Sequence, residues 1–192
     1  LIIQVMSLRD LIDNSRTDKD TTHSYLDLYQ SLLEKKKETA VKVLEIGIHK
    51  GGSIKMWDDF FINADVYAVD ILPKESMWEE LLNKESIHLY NSEDAYNPGF
   101  LQNEFIDNNF HFDMMLDDGP HTLQSMIQFI KLYLPLLKND GILIIEDVQQ
   151  MEWLDILKEN VPENFKKYIY TYDLRKSKDR YDDIVFCINK SL

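Results

Sequence analysis

Acidic side chains stand where predicted strands end, and this side-chain type can bind cations or hydroxyl groups. Asp117 and Asp118 follow one apolar run and precede His121, and Glu146 and Asp147 follow another. A row of carboxylates repels itself, so it is expected to have cations or hydroxyl donors to bind. Ordinary interpretations stay open, because His121 could cap a following helix and the Glu-Asp pair could be a solvated strand end.

A glycine-containing turn precedes these acids in the chain. Residues 45–53 read Glu-Ile-Gly-Ile-His-Lys-Gly-Gly-Ser, and Asp70 follows at the spacing of an acid that hydrogen-bonds ribose hydroxyls. Glycines let a backbone turn tightly and approach a ligand closely. A plain strand-to-helix turn is one interpretation. A nicotinamide dinucleotide site is another, although His49 stands where that motif expects its second glycine.

The elements that must position these residues alternate between strand and helix. Such alternation at βαβ spacing predicts an α/β fold, a doubly wound, mostly parallel sheet of about seven strands with helices on both faces. The last two strands lack a convincing helix between them and are expected to form an antiparallel pair at one edge. We predict strands at 41–47, 66–70, 87–90, 112–116, 141–145, 168–172 and 183–188, and helices at 53–61, 77–82, 100–106, 123–137 and 153–157.

No repeat or Pro/Gly/Ser linker divides the chain, so residues 1–192 are predicted to form one domain with a helical segment at about 1–38. Apolar residues recur at helical spacing near Tyr25 and Leu32. Thr21 or Thr22 is the expected cap of this helix. The lysines at 35–37 are expected to end it as a solvated face.

Composition excludes several classes of function. The 192 residues include 21 Lys+Arg and 34 Asp+Glu, a net charge of −13, which argues against nucleic-acid binding. The single Cys187 excludes an internal disulfide framework and a cysteine-based zinc cluster, and a reducing, cytoplasmic location is expected. No apolar run reaches membrane-spanning length. The first residue, Leu1, would fit one module of a longer glycan-modifying polypeptide.

The turn together with Asp70 resembles the class I S-adenosylmethionine-dependent methyltransferases, which have a Rossmann-like fold. In that family the glycine turn packs against the methionine part of the cofactor, and the acid after the second strand binds the ribose. An acid near the end of the third strand is often close to the adenine, a position matched by Asp94. The resemblance implies a cofactor-binding set of Glu45, Gly47, Gly51, Ser53, Asp70, Asp94 and Asp117.

Three further segments resemble the metal-dependent sugar O-methyltransferases of the macrocin and mycinamicin type, over roughly residues 17–149. They are residues 18–25 with Tyr29, residues 116–121 and residues 145–147. The resemblance implies that Asp118, Glu146 and Asp147 bind Mg²⁺ and that His121 is the general base. Pro120 stands where the family often has serine, a change that could stiffen the loop.

The resemblance implies an enzyme that methylates a sugar hydroxyl of a glycan or glycosylated metabolite. A divalent cation lowers the pKa of such a hydroxyl, and a nearby histidine can then take its proton. Members of the family often form oligomers, so a homo-oligomer is an expectation. The alternatives are a methyltransferase for catechol-like or other small diols, an NAD-dependent oxidoreductase, and a non-catalytic binding module.

Overall fold

One seven-stranded sheet, in the order β3-β2-β1-β4-β5-β7-β6, forms the centre of the molecule. The computed structural model describes residues 6–192. Within these residues, no helix is both long enough and apolar enough to cross a membrane. The strands are β1 Lys42–Ile46, β2 Asp65–Asp70, β3 Ile87–Asn91, β4 Phe112–Asp117, β5 Leu137–Ile145, β6 Ile169–Asp173 and β7 Ile184–Asn189.

The pairing of the strands confirms the predicted α/β architecture. Strands β1 to β5 pair in parallel, whereas β7 is antiparallel to both β5 and β6. Parallel neighbours need a crossover of a dozen or more residues, usually a helix. Only the four-residue helix Arg175–Lys178 lies between β6 and β7. The chain therefore turns back directly from β6 into β7. This agrees with the antiparallel pair that we predicted because the sequence shows no convincing helix between these strands.

The topology places the carboxyl ends of β1 and β4 side by side. In register, Ile46 at the end of β1 pairs with Asp117 at the end of β4, and Asp117 pairs with Ile145 at the end of β5. The strand order reverses between β1 and β4, which is where open α/β sheets leave a crevice for ligands. The acidic residues after these strands therefore lie at one edge of the sheet.

Helices cover both faces of this sheet. The longest, α5, begins after Thr122, whose hydroxyl accepts a hydrogen bond from the Ser125 amide at 3.1 Å. It buries Met126, Phe129 and Ile130 at helical spacing. The α-helices are α1 Leu8–Leu11, α2 Leu26–Leu33, α3 Gly52–Phe60, α4 Pro98–Leu101, α5 Leu123–Tyr133, α6 Met151–Glu159 and α7 Arg175–Lys178.

Three predicted helices are shorter than the sequence indicated, and the first of them, α5, ends at Tyr133 instead of at residue 137. Only a 3₁₀ turn at Glu79–Leu81 forms in the region 77–82. In the N-terminal region α1 and α2 are separated by turns, and residues 1–5 of the predicted segment lie outside the described residues. The expected cap at Thr21 or Thr22 is wrong, because both threonines belong to a separate turn. Their backbone amides donate to the backbone carbonyl of Asp18. Helix α2 begins only after Tyr25.

The lysine run at 35–37 is not the solvated face that its charge indicated. Lys36 and Lys37 are 4% and 7% exposed. The Lys36 ammonium donates to Asp140 at 3.2 Å, and that of Lys37 donates to the Met6 carbonyl. Long lysine stems can pack against apolar surface while the ammonium reaches a polar partner. Cys187, by contrast, is a fully buried free thiol on β7.

An aromatic cluster around Phe105 stabilises the face of the sheet that carries α5. Phe105 is fully buried, with six aromatic ring centroids 5.3–6.4 Å away. We expect Phe105→Ala to lower the free energy of unfolding by about 3–5 kcal/mol, because a large cavity would remain. Urea unfolding measures this effect. Ile62→Ala, at a 61% exposed position, is the control and is expected to change it by less than about 0.5 kcal/mol. Equal losses in both variants would contradict the assignment.

Candidate active site

A cavity of about 830 Å³ lies at the carboxyl ends of β1, β2 and β4. The loops after these strands line one side of it. Residues 14–18 and Thr21, from the turns between α1 and α2, line the other. The N-terminal turns therefore close a crevice that the sheet alone would leave open.

The turn after β1 is held against the loop after β4. Gly47 has a φ of +80°, and a Cβ placed there would lie 2.0 Å from the Asp118 carbonyl oxygen. Both the left-handed conformation and the close approach require glycine. Gly52 is equally restricted, since its Cβ would lie 2.1 Å from the Arg16 carbonyl oxygen. Gly47 therefore lets the loop after β4 contact the turn after β1, and Gly52 lets the N-terminal turns contact the start of α3.

Asp70 fixes the shape of this turn from the end of β2. Its Oδ2 accepts hydrogen bonds from the amides of Ile48 and His49, both at 2.8 Å, and its Oδ1 accepts one from Leu72. The side chain also lines the cavity, as do Glu93 and Asp94 after β3. The acids of β2 and β3 thus lie on the cavity wall where a ribose or a base could bind.

Lys19 lies beneath the cavity among three carboxylates. Its Nζ is 2.6 Å from Glu146 Oε1, 2.8 Å from Asp118 Oδ2 and 3.5 Å from Glu45 Oε1, and its side chain is 1% exposed. Burial opposes the charged ammonium, but the carboxylates outweigh this effect and raise the pKa of Lys19 well above its usual value. We call these four residues the Lys19 network. It supplies the positive charge that the buried acids need.

Two tyrosines of the N-terminal region orient the acids after β5. The Tyr25 hydroxyl donates to Asp147 Oδ1, and the Tyr29 hydroxyl donates to Glu146 Oε2. His23 Nδ1 lies 3.3 Å from the same Asp147 oxygen. Both oxygens of Glu146 are therefore engaged within the protein. Asp147 Oδ2 instead faces His121, whose Nε2 lies 3.5 Å away.

Asp118, His121 and Asp147 form what we call the open cluster. One ligand atom from each lies within 4.8 Å of those of the other two. His121 Nε2 is also 3.7 Å from Asp118 Oδ1. His121 and Asp147 have φ values of 53° and 54°, left-handed conformations that are costly for residues other than glycine. Burial lowers the pKa of His121, which favours the neutral imidazole.

The open cluster fits a small divalent cation. The carboxylates of Asp118 and Asp147 offer oxygen ligands, with the His121 imidazole beside them, and Asp118 and His121 line the cavity, so ligand positions facing it stay accessible. Glu146 fits less directly, because Lys19 and Tyr29 already occupy its oxygens. Its predicted role as a metal ligand stays a prediction, and in this arrangement it anchors the Lys19 ammonium.

The structure places the predicted site residues in two layers. Asp117 lies behind the wall, where it accepts a hydrogen bond from the Tyr96 hydroxyl and burial raises its pKa to about 7. Glu45 is fully buried, with Ser53 and Trp57 donating to it. Gly47, Ser53, Asp70, Asp94, Asp118 and His121 line the cavity, whereas Glu45, Gly51, Asp117, Glu146 and Asp147 do not.

Lys19 could not be recognised from the sequence as part of the site. The residue stands between two aspartates, Asp18 and Asp20, in a polar segment where a lysine ordinarily faces solvent. Its role is shown only by its contacts with Asp118 and Glu146, which lie 99 and 127 residues further along the chain. Within the sequence, the surplus of acids at the strand ends was the one signal that a cation was needed.

Comparison with known proteins places residues 44–148 in a family described as a methyltransferase domain. A tetracenomycin-C rhamnosyl 3'-O-methyltransferase from Streptomyces olivaceus is 31% identical over 133 residues, covering 66% of this chain and 32% of that protein. Demethylmacrocin O-methyltransferase from Streptomyces fradiae is 28% identical over 154 residues, covering 76% and 37% respectively. The chain thus spans about a third of the length of these curated relatives.

The fold is also similar to that of solved methyltransferases. MycE, from mycinamycin biosynthesis, was solved in complex with Mg and SAH and superposes with a TM-score of 0.73. The match has 21% sequence identity and covers 97% of this chain and 55% of MycE. The predicted doubly wound fold and the resemblance to macrocin- and mycinamicin-type proteins are both confirmed.

Proposed function

Because the chain belongs to the methyltransferase-domain family, we propose that it is an S-adenosylmethionine-dependent O-methyltransferase that modifies a sugar hydroxyl with the help of Mg²⁺. One observation carries this proposal: a single cavity joins the Gly47 turn and Asp70 to Asp118 and His121. The relatives named above, which methylate sugar groups of glycosylated products, support the sugar as the acceptor class.

The side of the cavity near β1 and β2 is the proposed cofactor site. S-adenosylmethionine supplies an electrophilic sulfonium methyl group when bound. The Gly47 turn, fixed by Asp70, gives a close backbone approach there, and Asp94, which lines the same cavity, is proposed to bind near the adenine. Ser53 lies at the start of α3 on the same wall. Glu45, Gly51 and Asp117 do not line the cavity: Glu45 would act through Ser53, Asp117 through Tyr96, and Gly51 by starting α3.

The open cluster is the proposed acceptor site. Bound Mg²⁺ supplies a Lewis acid that lowers the pKa of a coordinated hydroxyl. Asp118 and Asp147 would hold the ion, with Glu146 behind them. His121, favoured in its neutral form by burial, is proposed to accept the hydroxyl proton as the methyl group is transferred. The cavity walls are proposed to orient the acceptor for transfer.

We expect S-adenosylhomocysteine to raise the melting temperature of the chain and NAD to leave it unchanged. A ligand at 100 times its Kd stabilises the folded state by about 2.7 kcal/mol, or roughly 5–10 °C for a domain of this size. Differential scanning fluorimetry measures the shift. Gly47→Ala should abolish it, because the added Cβ meets the Asp118 carbonyl.

The acceptor is tested separately with labelled S-adenosylmethionine and Mg²⁺. Deoxysugar glycosides of polyketides, simple glycosides and catechol are the substrates to compare. Transfer to a glycoside that stops with chelator supports the proposal in full. Transfer to catechol alone would replace the sugar with a small diol, and a thermal shift with NAD alone would overturn the methyltransferase assignment.

A further inference from the structure

A second group of metal-binding side chains lies behind the open cluster. His23, Asp182 and Asp183 each have a ligand atom within 4.8 Å of those of the other two. All three are buried, at 6%, 5% and 0% exposure. We call them the second cluster. The proposed methyl transfer assigns them no role.

Two carboxylate oxygens of the second cluster have no hydrogen-bond partner in the described part of the chain. They are Asp182 Oδ1 and Asp183 Oδ2. A buried carboxylate without a partner is costly, because it loses its hydration without compensation. Such oxygens, on side chains that are more than nine-tenths buried, are what a cation site would leave open.

The protein supplies less positive charge here than the acids require. Arg180 donates to Asp182 Oδ2 at 3.1 Å, and His23 Nδ1 lies 2.7 Å from Asp183 Oδ1 and 3.3 Å from Asp147 Oδ1. The two aspartates of the cluster, together with Asp147, therefore face one guanidinium and two imidazoles, those of His23 and His121. The Lys19 network shows the opposite arrangement, where a lysine ammonium lies directly among the acids.

Asp147 lies between the two clusters. Its Oδ1 faces His23 and the Tyr25 hydroxyl, while its Oδ2 faces His121 of the open cluster. Asp18, with a 62% exposed side chain, approaches His23 Nε2 at 3.7 Å and also lines the cavity. Asp18 therefore connects the second cluster to the cavity wall.

We propose that His23, Asp182 and Asp183 form a second divalent-cation site, adjacent to the open cluster through the contact of His23 with Asp147. One imidazole and two carboxylates suit Mn²⁺ or Zn²⁺ better than Mg²⁺, which prefers oxygen ligands and retains its waters. An ion there would neutralise the two buried aspartates. This inference does not depend on the identity of the acceptor.

Counting bound Mn²⁺ tests this site. The full chain is stripped with chelator and titrated with Mn²⁺, while electron paramagnetic resonance measures the free ion. We expect two ions per wild-type chain. Asp183→Asn, His23→Gln and Asp118→Asn should each bind one, the first two through loss of the second cluster. Asp155→Asn, an exposed residue paired with Lys158 on α6, is the control and should bind two.

Three results would overturn the proposal. The wild-type chain could bind one Mn²⁺ that only Asp118→Asn removes, it could bind none, or it could bind two that both second-cluster variants retain. Circular dichroism checks the fold of each variant. If Asp183→Asn does not fold, His23→Gln decides the question. Methyl transfer is not the readout, so failure of the proposed function leaves this count interpretable.

Discussion

An Asp118→Asn variant is expected to lose methyl transfer by roughly 10³-fold while it keeps its fold and its response to S-adenosylhomocysteine. Asparagine preserves the shape of the side chain but removes the charge that a Mg²⁺ site uses. Metal ions contribute several kcal/mol of transition-state stabilisation, and each 1.36 kcal/mol corresponds to a factor of ten in rate. Single-turnover transfer of a labelled methyl group to the glycoside acceptor measures the loss.

The controls for this prediction separate chemistry from folding. Asp118 also contacts the Lys19 ammonium at 2.8 Å, so part of any effect could come from a disturbed network. The thermal shift with S-adenosylhomocysteine shows whether the cavity stays intact, because Gly47 and Asp70 on its cofactor side are unchanged in this variant. Asp155→Asn, 81% exposed on its side chain, should transfer methyl groups at the wild-type rate. Wild-type turnover in Asp118→Asn would exclude the metal role of that residue.

The sheet could be predicted because its signals are local. Apolar runs such as those of β1 and β4 end in glycine or acidic residues, and the long connections between consecutive strands favour parallel pairing over tight hairpins. The convergence of Asp70 and Asp118 at one edge follows directly from that topology. The turns between α1 and α2 could not be predicted in this way, because their conformation depends on contacts with distant loops.

The arrangement of the candidate site was predictable only in part. The sequence placed Asp118, His121 and Asp147 after the right strands, but it could not distinguish Asp147, with one oxygen toward His121, from Glu146, whose oxygens are both engaged. Adjacent residues at a strand end point to different sides, so two neighbouring acids need not share a role. The helical-face interpretation of Tyr25 likewise concealed its contact with Asp147.

The Lys19 network determines which acids are open to a cation. The ammonium lies within 3.5 Å of three carboxylates, including those of Asp118 and Glu146. Among the described residues, no other lysine and no arginine forms an ion pair with these carboxylates. Removing one partner of a buried ion pair leaves an uncompensated charge, which costs far more than losing an exposed pair. Lys19 is therefore expected to be important for stability as well as for positioning Asp118.

A Lys19→Met variant is expected to unfold about 3–5 kcal/mol more easily than the wild-type chain, a loss of roughly 6–20 °C in melting temperature. Methionine fills a similar volume, so the effect reports charge rather than packing. Adding Glu146→Gln should recover part of the stability, because one unpaired acid is removed. Lys158→Met, which breaks an exposed pair with Asp155, should cost less than about 0.5 kcal/mol. Urea unfolding at pH 7 measures all three variants. If Lys19→Met is as stable as Lys158→Met, or if Glu146→Gln worsens its loss, the buried acids do not depend on the Lys19 ammonium for their charge balance.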